Sequence, residues 1–372
     1  MTIAAAMIVR DEAAFLVDCL ASLRDRVDEI VIVDTGSSDA TVDIAVGAGG
    51  YLLHFDWQGD FAAARNVALD AVSCDWVLYI DADERLGLPA GGALEDYIDP
   101  TAVAAYVRFQ PRLGYTRYRE LRLFRSDPRI RFSGRIHETV VPAIRALEAL
   151  DGRTVARTAV EINHLGYEGD QSHKHARNLA LLQASVRADP DRAYCWYHLA
   201  ETLDAIGRRE EGIAAANAGI ASTERLDSEQ QRGAASLIHQ YLARVMLEQG
   251  NDVTDMIALA LKRFPEDHAL RFLHGRMLIE SRRPIEALEI AIALRAVDPD
   301  ALGDGLLAFD RAIFGEKACE LAALACFQLG DRQGAADHFL MASRLAPHDP
   351  SYRIRAIALG DDRAARPVSF RD

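Results

Sequence analysis

Three acidic residues stand close together in the stretch Trp76–Leu86, which reads W-V-L-Y-I-D-A-D-E-R-L. Asp81, Asp83 and Glu84 directly follow a run of mostly apolar residues with the length of a buried strand. A strand that ends in a core tolerates this much negative charge only opposite a positive group. Mg²⁺ is typically held by one or two carboxylates together with substrate phosphates. The stretch therefore predicts a site for a divalent cation and phosphate, and a solvated acidic turn is the alternative.

The elements that must position these acids form an alternating series. Runs of strand length occur at Ile3–Val9, Glu29–Asp34, Tyr51–Phe55 and Trp76–Ile80. The stretches between them carry apolar residues at helical spacing, the first extending to Val27. This alternation predicts an α/β domain with a doubly wound, mostly parallel sheet. Such sheets bind ligands outside the carboxyl ends of their strands, where the acids would lie.

The first two predicted strands end in residues that suit a nucleoside. Val9 and Arg10 close the first strand, and Asp34 closes the second. We expect the base to lie across these two ends, to accept hydrogen bonds from backbone N–H groups and to donate one to Asp34.

The fourth strand would supply the ribose and phosphate side of the same site. Asp81 can reach the ribose hydroxyls or Arg65, which lies on the preceding predicted helix, and Asp83 can hold a metal ion that bridges two phosphates. Arg65 either contacts the phosphates or serves as a counter-ion for the acids, and both interpretations stay open.

Residues 3–86 resemble the family 2 glycosyltransferases of the GT-A fold. The matching segments are M-I-V-R-D-E-A-A-F-L-V-D-C-L-A-S-L, I-V-D-T-G-S-S-D-A-T, F-A-A-A-R-N-V-A-L and Y-I-D-A-D-E-R-L. The resemblance implies sugar transfer from a nucleotide-sugar donor, with Asp34 on the base, and with Asp81 and Asp83 serving the ribose and Mg²⁺ or Mn²⁺. A UDP-sugar is favoured. Many members carry a second acid where Thr35 stands, so uracil selection would rest on Asp34 and the backbone.

A later segment, R-L-F-R-S-D-P-R-I-R-F-S-G-R-I-H-E, resembles a subgroup of this family with an I/V-H-E element and C-terminal repeats. Inverting transfer needs a carboxylate to take the acceptor's proton, and we expect Glu138 to be that base. A pairing of Glu138 with a nearby arginine is the alternative. His137 would position Glu138 or the acceptor, and His164 would complete the metal's coordination or contact the diphosphate. A purely structural, hydrogen-bonded role is open for both histidines.

Four further strands are predicted in this domain, at Ala102–Phe109, Leu121–Phe124, Arg129–His137 and Val155–His164. Arg122 and Arg125, in R-L-F-R, could neutralise the leaving diphosphate or form surface ion pairs. The domain is expected to span residues 1–170, with a polar linker in Gln171–His175.

Residues 171–372 are rich in Ala, Leu and other helix formers. Pro265 and Pro299 lie 34 residues apart, each after a helical segment, and W-Y-H-L-A at 196–200 begins a similar unit. These features resemble tetratricopeptide repeats, helix pairs that stack into a solenoid. We count three to four units, including a degenerate pair in 226–265, and an irregular helical bundle is the alternative.

Composition narrows the function classes. The net charge of −14 argues against a general nucleic-acid or anionic-membrane binder. Five cysteines, with no CxxC pair, indicate reduced thiols. No apolar stretch approaches the ~20 residues that span a bilayer, and no leader pattern opens the chain. We expect a cytoplasmic protein without an integral membrane segment.

Together these features predict a metal-dependent, inverting glycosyltransferase. The acceptor would be a peptide or protein recruited by the repeats, or a saccharide, and the repeats could instead form a homodimer. A cell-envelope saccharide transferase, a nucleotidyltransferase and a non-catalytic repeat scaffold remain as alternatives. R-D-E-A-A stands where nucleotidyltransferases usually carry a Gly-rich basic loop, and that disfavours the second of these.

Overall fold

The computed structural model describes residues 1–165, 172–223 and 229–360. They belong to two compact units. The first comprises Met1–Pro190, Thr202–Arg208 and Gly303–Ala308, and the second comprises Asp191–Glu201, Arg209–Leu302 and Phe309–Asp372. The domain boundary at residue 170 stays a prediction. Gln171 of the expected linker lies outside the described residues, whereas residues 172–175 begin a helix.

An eight-stranded mixed sheet forms the centre of the first unit. Its strands are β1 (Ile3–Val9), β2 (Glu29–Asp34), β3 (Tyr51–His54), β4 (Trp76–Tyr79), β5 (Glu84–Gly87), β6 (Ala104–Gln110), β7 (Tyr118–Arg125) and β8 (Val155–His164). The order across the sheet is β3-β2-β1-β4-β7-β6-β8-β5. The first four strands in that order are parallel, β7 pairs antiparallel with β4 and β6, and β8 pairs parallel with β6 and antiparallel with β5. The predicted α/β, mostly parallel layout is confirmed for β1 to β4.

Five helices accompany the sheet: α1 (Ala13–Leu23), α2 (Thr41–Gly47), α3 (Phe61–Ala71), α4 (Val141–Asp151) and α5 (Ser172–Ala188). One face of the sheet shares a core with α1 that includes Met7, Leu16 and Trp76, and the other face shares one with α3 and α4 that includes Val31 and Phe124. Apolar side chains therefore cover both faces, as expected of a central parallel sheet.

Helix α1 is shorter than predicted. It ends at Leu23, because Arg24 leaves the helical conformation and the following turn leads directly into β2. The apolar Val27, which suggested a longer helix, packs against the core from that turn.

The predicted strand at Arg129–His137 is wrong, because this segment is a loop with one isolated bridge between Ser133 and Thr139. Its alternating apolar residues are buried as a strand's would be. However, the Asn66 side chain takes the place of a partner strand: the Phe132 N–H donates to its Oδ1 at 2.9 Å, and its Nδ2 donates to the Phe132 carbonyl at 3.1 Å. Positive φ angles of 96° at Gly134 and 52° at His137 then bend the chain out of extended geometry.

Among the described residues of the second unit, all regular secondary structure is helical. Its first helix, α6 (Ala193–Ala205), ends within the segment Thr202–Arg208 that belongs to the first unit. The others are α7 (Arg209–Thr223), α8 (Glu229–Glu248), α9 (Thr254–Arg263), α10 (His268–Glu280), α11 (Pro284–Arg295), α12 (Glu316–Gln328), α13 (Arg332–Leu345) and α14 (Pro350–Ala358). Consecutive helices pack against each other, for example α10 on α11 and α12 on α13. Residues 226–228 of the predicted degenerate pair lie outside the described residues.

Small residues allow these helices to approach closely. A Cβ added at Gly275 would meet Leu321 of α12 at 2.5 Å, and Ala287 and Ala291 of α11 are fully buried. The prediction of tetratricopeptide-type helix pairs is confirmed.

Two further expectations concern the whole chain. All five cysteines are free thiols. Within the ranges described, no helix combines the length and the apolar character that crossing a bilayer requires.

Candidate functional site

The carboxyl ends of β1 and β2 lie side by side, with Val9 opposite Asp34 in the register. Asp34 is buried, and its carboxylate accepts the N–H groups of Gly36 and Ser37, each at 3.1 Å. The carboxylate thus holds the turn that follows β2. His54 at the end of β3 brings its Nδ1 to 3.4 Å from Asp34 Oδ2. An ionised carboxylate offers about four acceptor positions, so Asp34 can still accept a further hydrogen bond.

A backbone hydrogen bond also joins the carboxyl ends of β1 and β2. The Thr35 N–H donates to the Val9 carbonyl at 2.9 Å. Arg10, the next residue after β1, is exposed. The predicted base-binding roles of Val9, Arg10 and Asp34 stay predictions, and the structure places all three at one end of two adjacent strands.

The acidic residues form a tight turn between β4 and β5. The Glu84 N–H donates to the Asp81 carbonyl at 3.0 Å, which closes the turn. Arg85 stabilises the turn by donating hydrogen bonds to the carbonyls of Ala82 and Phe15, each at 3.0 Å. The sequence did not predict strand β5, because its four residues continue a polar segment and are too few to show a periodicity.

Asp83 and His164 meet across two antiparallel strands. Glu84 stands opposite His164 in the β5–β8 register, and the Leu165 N–H donates to the Asp83 carbonyl at 2.9 Å. His164 Nε2 consequently lies 3.2 Å from Asp83 Oδ2. The other ring nitrogen, Nδ1, lies 3.0 Å from the Pro111 carbonyl and can only donate there.

This arrangement requires a positive charge between Asp83 and His164. With the Nδ1 proton directed at Pro111, a neutral imidazole would present its Nε2 lone pair to a carboxylate oxygen, so either a proton or a cation must lie there. Burial disfavours the imidazolium, but the hydrogen bond to Asp83 and the negative charges of Asp83 and Glu84 together outweigh burial and raise the pKa of His164. A carboxylate and an imidazole are a suitable donor set for Mn²⁺ or a similar divalent cation. Among the described residues, no group of three such side chains gathers at one point, so these two form a pair.

Arg65 of α3 joins two carboxylates that come from distant parts of the chain. Its Nη2 donates to Asp81 Oδ1 at 2.7 Å, and its Nε donates to Glu138 Oε1 at 2.5 Å. The guanidinium is buried, and it lies over the rings of Tyr79 and Phe132.

The opposite charges of Arg65 and Asp81 favour the ionised form of each. Burial alone would raise the pKa of Asp81, but the nearby charges of Arg65 and Arg122 together outweigh burial and hold that pKa below its usual value. Burial likewise opposes the charge of Arg65, but Asp81 and Glu138 together raise its pKa. Of the two roles left open for Arg65, the structure shows the counter-ion role.

Glu138 is carried by the loop that replaces the predicted strand. The Phe61 N–H at the start of α3 donates to the Arg135 carbonyl at 2.9 Å, and Ser133 and Thr139 exchange backbone hydrogen bonds at 3.0 Å. These hydrogen bonds close the loop and place Glu138 beside Arg65. His137 is the residue with the strained positive φ immediately before Glu138, and it is half-buried.

Arg122 forms a buried ion pair with Glu84. It is 5% exposed, and its two terminal nitrogens donate to the two carboxylate oxygens of Glu84 at 2.8 and 3.0 Å. Glu84 is itself 1% exposed. Sequence reasoning missed this pair, and it missed Asn66 as the anchor of the Glu138 loop, because neither contact has a local spacing that would reveal it.

The chain is similar to several known proteins. Residues 5–139 match the sequence profile described as Glycosyl transferase family 2. A TPR repeat-containing protein of Synechococcus elongatus is 43% identical over 196 residues, which cover 50% of this chain and 49% of that protein. The SPbeta prophage-derived glycosyltransferase SunS of Bacillus subtilis is 26% identical over 224 residues, which cover 57% of this chain and 51% of SunS. The chain thus spans about half the length of these curated relatives.

A solved structure was also found to be similar. Glucosyl-3-phosphoglycerate synthase from Mycobacterium tuberculosis, crystallised with Mn²⁺, uridine diphosphate and glucosyl-3-phosphoglycerate, aligns at 16% identity with a TM-score of 0.35. The alignment covers 50% of this chain and 80% of the synthase.

Proposed function

We propose, on the premise that residues 5–139 form a glycosyl transferase family 2 domain followed by tetratricopeptide-type helix pairs, that this protein is a metal-dependent, inverting glycosyltransferase. The donor is a nucleotide sugar, with UDP-sugars favoured, and the metal is Mg²⁺ or Mn²⁺. The acceptor is a peptide or protein that the helical unit recruits.

The observation that carries this proposal is the pair of contacts made by Arg65. Asp81 follows a strand at the carboxyl edge of the sheet, where a donor nucleotide binds in such folds. Glu138 comes from a loop that begins beyond β7, yet it bonds to the same guanidinium. A carboxylate on the donor side and a carboxylate able to act as a base therefore belong to a single site.

Asp83 and His164 fit a divalent cation, because their facing oxygen and nitrogen need a positive charge between them. When bound, the cation neutralises the diphosphate and so stabilises the charge that develops as this group leaves. The hydrogen bond from His164 to the Pro111 carbonyl fixes the ring with Nε2 toward the site.

The chain's own residues account for the proton and for orientation. As the acceptor's O–H or N–H group attacks the anomeric carbon, the bond from that carbon to the phosphate oxygen breaks and Glu138 takes the acceptor's proton. Arg65 orients Glu138 by its Nε–Oε1 hydrogen bond while it holds Asp81. His137, directly before Glu138, is proposed to position the base or the acceptor.

The helical unit supports a peptide or protein acceptor. Stacked helix pairs present extended surfaces that suit peptides. This assignment rests on architecture, and a saccharide acceptor with repeats that form a homodimer is the outcome that would replace it.

A panel of donors tests the proposal. The protein is incubated with UDP-, GDP-, CDP- and dTDP-sugars in the presence of Mn²⁺ or Mg²⁺, and the release of the nucleoside diphosphate is measured. We expect slow hydrolysis of one donor class that requires metal and is lost in Asp83→Ala. The proposal is wrong if no donor is hydrolysed and none changes the melting temperature of the protein with metal present.

A further inference from the structure

The acidic turn rests on a buried ion pair that touches neither the proposed donor nor the proposed metal. Glu84 and Arg122 are 1% and 5% exposed, so neither can reach a ligand. Both oxygens of Glu84 receive hydrogen bonds from the guanidinium, at 2.8 and 3.0 Å. This two-point contact fixes the plane of the carboxylate as well as its position.

Glu84 in turn holds the backbone of the acidic turn by two hydrogen bonds to Asp81. Its Oε2 accepts the N–H of Asp81 at 2.9 Å, while its own N–H donates to the Asp81 carbonyl at 3.0 Å. Side chain and backbone thus close a small ring that contains both ends of the segment Asp81–Glu84. Asp83 lies inside this ring, so the direction of its carboxylate depends on the geometry of the ring.

Arg122 is itself held rigidly. It projects from β7, and its guanidinium lies 4.4 Å from the ring centre of Tyr79 and 4.7 Å from that of Phe109. Tyr79 is the last residue of β4, and its ring also faces Arg65 at 5.2 Å. The guanidinium therefore has little freedom to follow a shift of the turn.

A stabilising role does not explain such a pair well. Replacing a buried ion pair by apolar residues of similar size is often neutral or favourable for stability, because taking both charges out of water is costly. What an apolar pair cannot supply is an acceptor for the Asp81 N–H or a fixed direction for the turn.

We propose that Arg122 and Glu84 are positioning residues that set the acidic turn, so that Asp83 faces His164 and Asp81 faces Arg65 before any ligand arrives. The inference rests on the proposed function, since it concerns the same metal site. It assigns the pair no contact with donor, acceptor or metal. Groups that orient metal ligands from behind typically change metal affinity by roughly 10–100-fold when they are altered.

The test measures Mn²⁺ binding directly, by the electron paramagnetic resonance signal of free Mn²⁺ in the presence of saturating UDP. We expect Glu84→Gln to weaken Mn²⁺ binding by about 10–100-fold, with UDP binding in the absence of metal unchanged in calorimetry. Arg122→Lys should give a smaller loss, because a single ammonium keeps the charge but not the two-point contact.

A second variant separates positioning from folding. The double replacement Glu84→Met with Arg122→Met removes both charges, and we expect a melting temperature near that of the wild type. Its Mn²⁺ binding should be as weak as that of Glu84→Gln. Matched controls are Glu148→Gln and Arg145→Lys, which alter an exposed ion pair of 2.6 Å on α4 and should bind Mn²⁺ like the wild type.

The outcomes distinguish the two proposals. If the folded double variant binds Mn²⁺ as tightly as the wild type, the positioning role is wrong and the proposed function stands. If the wild-type protein itself binds no Mn²⁺ in the presence of any nucleoside diphosphate, the metal site is wrong and the positioning role fails with it.

Discussion

Replacing Arg65 by Met removes the guanidinium that Asp81 and Glu138 share. The guanidinium is 7% exposed, and its partners lie at 2.7 and 2.5 Å. Removal of one member of a buried pair leaves an uncompensated charge and costs about 3–5 kcal/mol. Here two carboxylates would lose their counter-ion. Asp81 is partly solvated, with 36% of its side chain exposed, so Glu138, at 10%, should bear most of the penalty.

The expected loss is therefore about 3–5 kcal/mol for Arg65→Met. This is a large share of the ~5–15 kcal/mol by which domains are typically stable. Because the chain has two units, a single unfolding curve would mix their stabilities. Hydrogen exchange followed by mass spectrometry on peptides that contain β1 and β4 reports the free energy of opening of the first unit alone.

Two comparisons decide whether the shared guanidinium is the cause. Arg129→Met removes an arginine that is paired with Asp127 and Asp151 but is half-exposed, and it should cost far less stability than Arg65→Met because solvent screens the pair. In a Glu138→Gln background, Arg65→Met should cost about 1–2 kcal/mol less than in the wild type, since one carboxylate is already neutral. If Arg65→Met costs no more than Arg129→Met, or if the Glu138→Gln background leaves its cost unchanged, the shared guanidinium is not the source of the stability.

Three further predictions follow from the same geometry. Glu138→Gln keeps an oxygen that can accept from Arg65, so donor binding should persist while transfer falls by roughly 10²–10⁴-fold; retained transfer in a turnover assay would place the base elsewhere. The pKa of His164 is raised above its ordinary value of 6.5, so cation binding must displace a proton. Calorimetry in buffers of different ionisation enthalpy should show this release, and Mn²⁺ affinity should drop as the pH falls through that raised pKa, whereas a pH-independent affinity would exclude His164 as a ligand. The hydrogen bonds from Arg129 lower the pKa of Asp127 from 3.8 to about 2; the carboxylate therefore stabilises the fold above its unfolded pKa and loses this effect as the pH falls through the folded value. Because Arg129 is half-exposed, Asp127→Asn should cost only about 0.5–1 kcal/mol at neutral pH; this difference, measured by hydrogen exchange on peptides of the first unit, should shrink as the pH falls toward 2, and a difference that stays constant would contradict the assignment.

The sequence alone could predict the sheet's parallel half and the acids at its edge. The segments Ile3–Val9, Glu29–Asp34 and Trp76–Ile80 are short apolar runs bounded by polar residues, and each became a strand within one residue of its predicted ends. Parallel strands present their carboxyl ends together, so the proximity of Asp34 and Asp81 to one edge followed from topology.

Contacts between distant segments could not be predicted in the same way. The loop around Phe132 has the alternation of a strand, and only the side chain of Asn66, 66 residues earlier, shows why it needs no strand partner. Likewise, Arg122 carries no local sign of whether it faces a phosphate or Glu84. The position of Arg122 depends on the antiparallel pairing of β7 with β4. The sequence does not specify that pairing.

The chemical types of the residues allowed some of the site's contacts to be predicted. Glu138 was expected either to act as a base or to pair with an arginine, and the structure shows the pairing, with Arg65 rather than with an arginine close to it in sequence. His164 was expected near the metal side, and the β5–β8 register brings it to Asp83. Strand β5, which makes this register possible, had no signal in the sequence.

Asp83 is proposed to be a metal ligand that couples cation binding to nucleotide binding. The most direct measurement is a calorimetric titration of nucleoside diphosphates, UDP first, into the wild-type protein and into Asp83→Asn, with and without Mn²⁺. We predict that Mn²⁺ tightens binding of one nucleotide to the wild type by at least about tenfold, and that Asp83→Asn binds it equally with and without the metal. Equal tightening in both proteins, or none in the wild type with any nucleotide, would contradict the account.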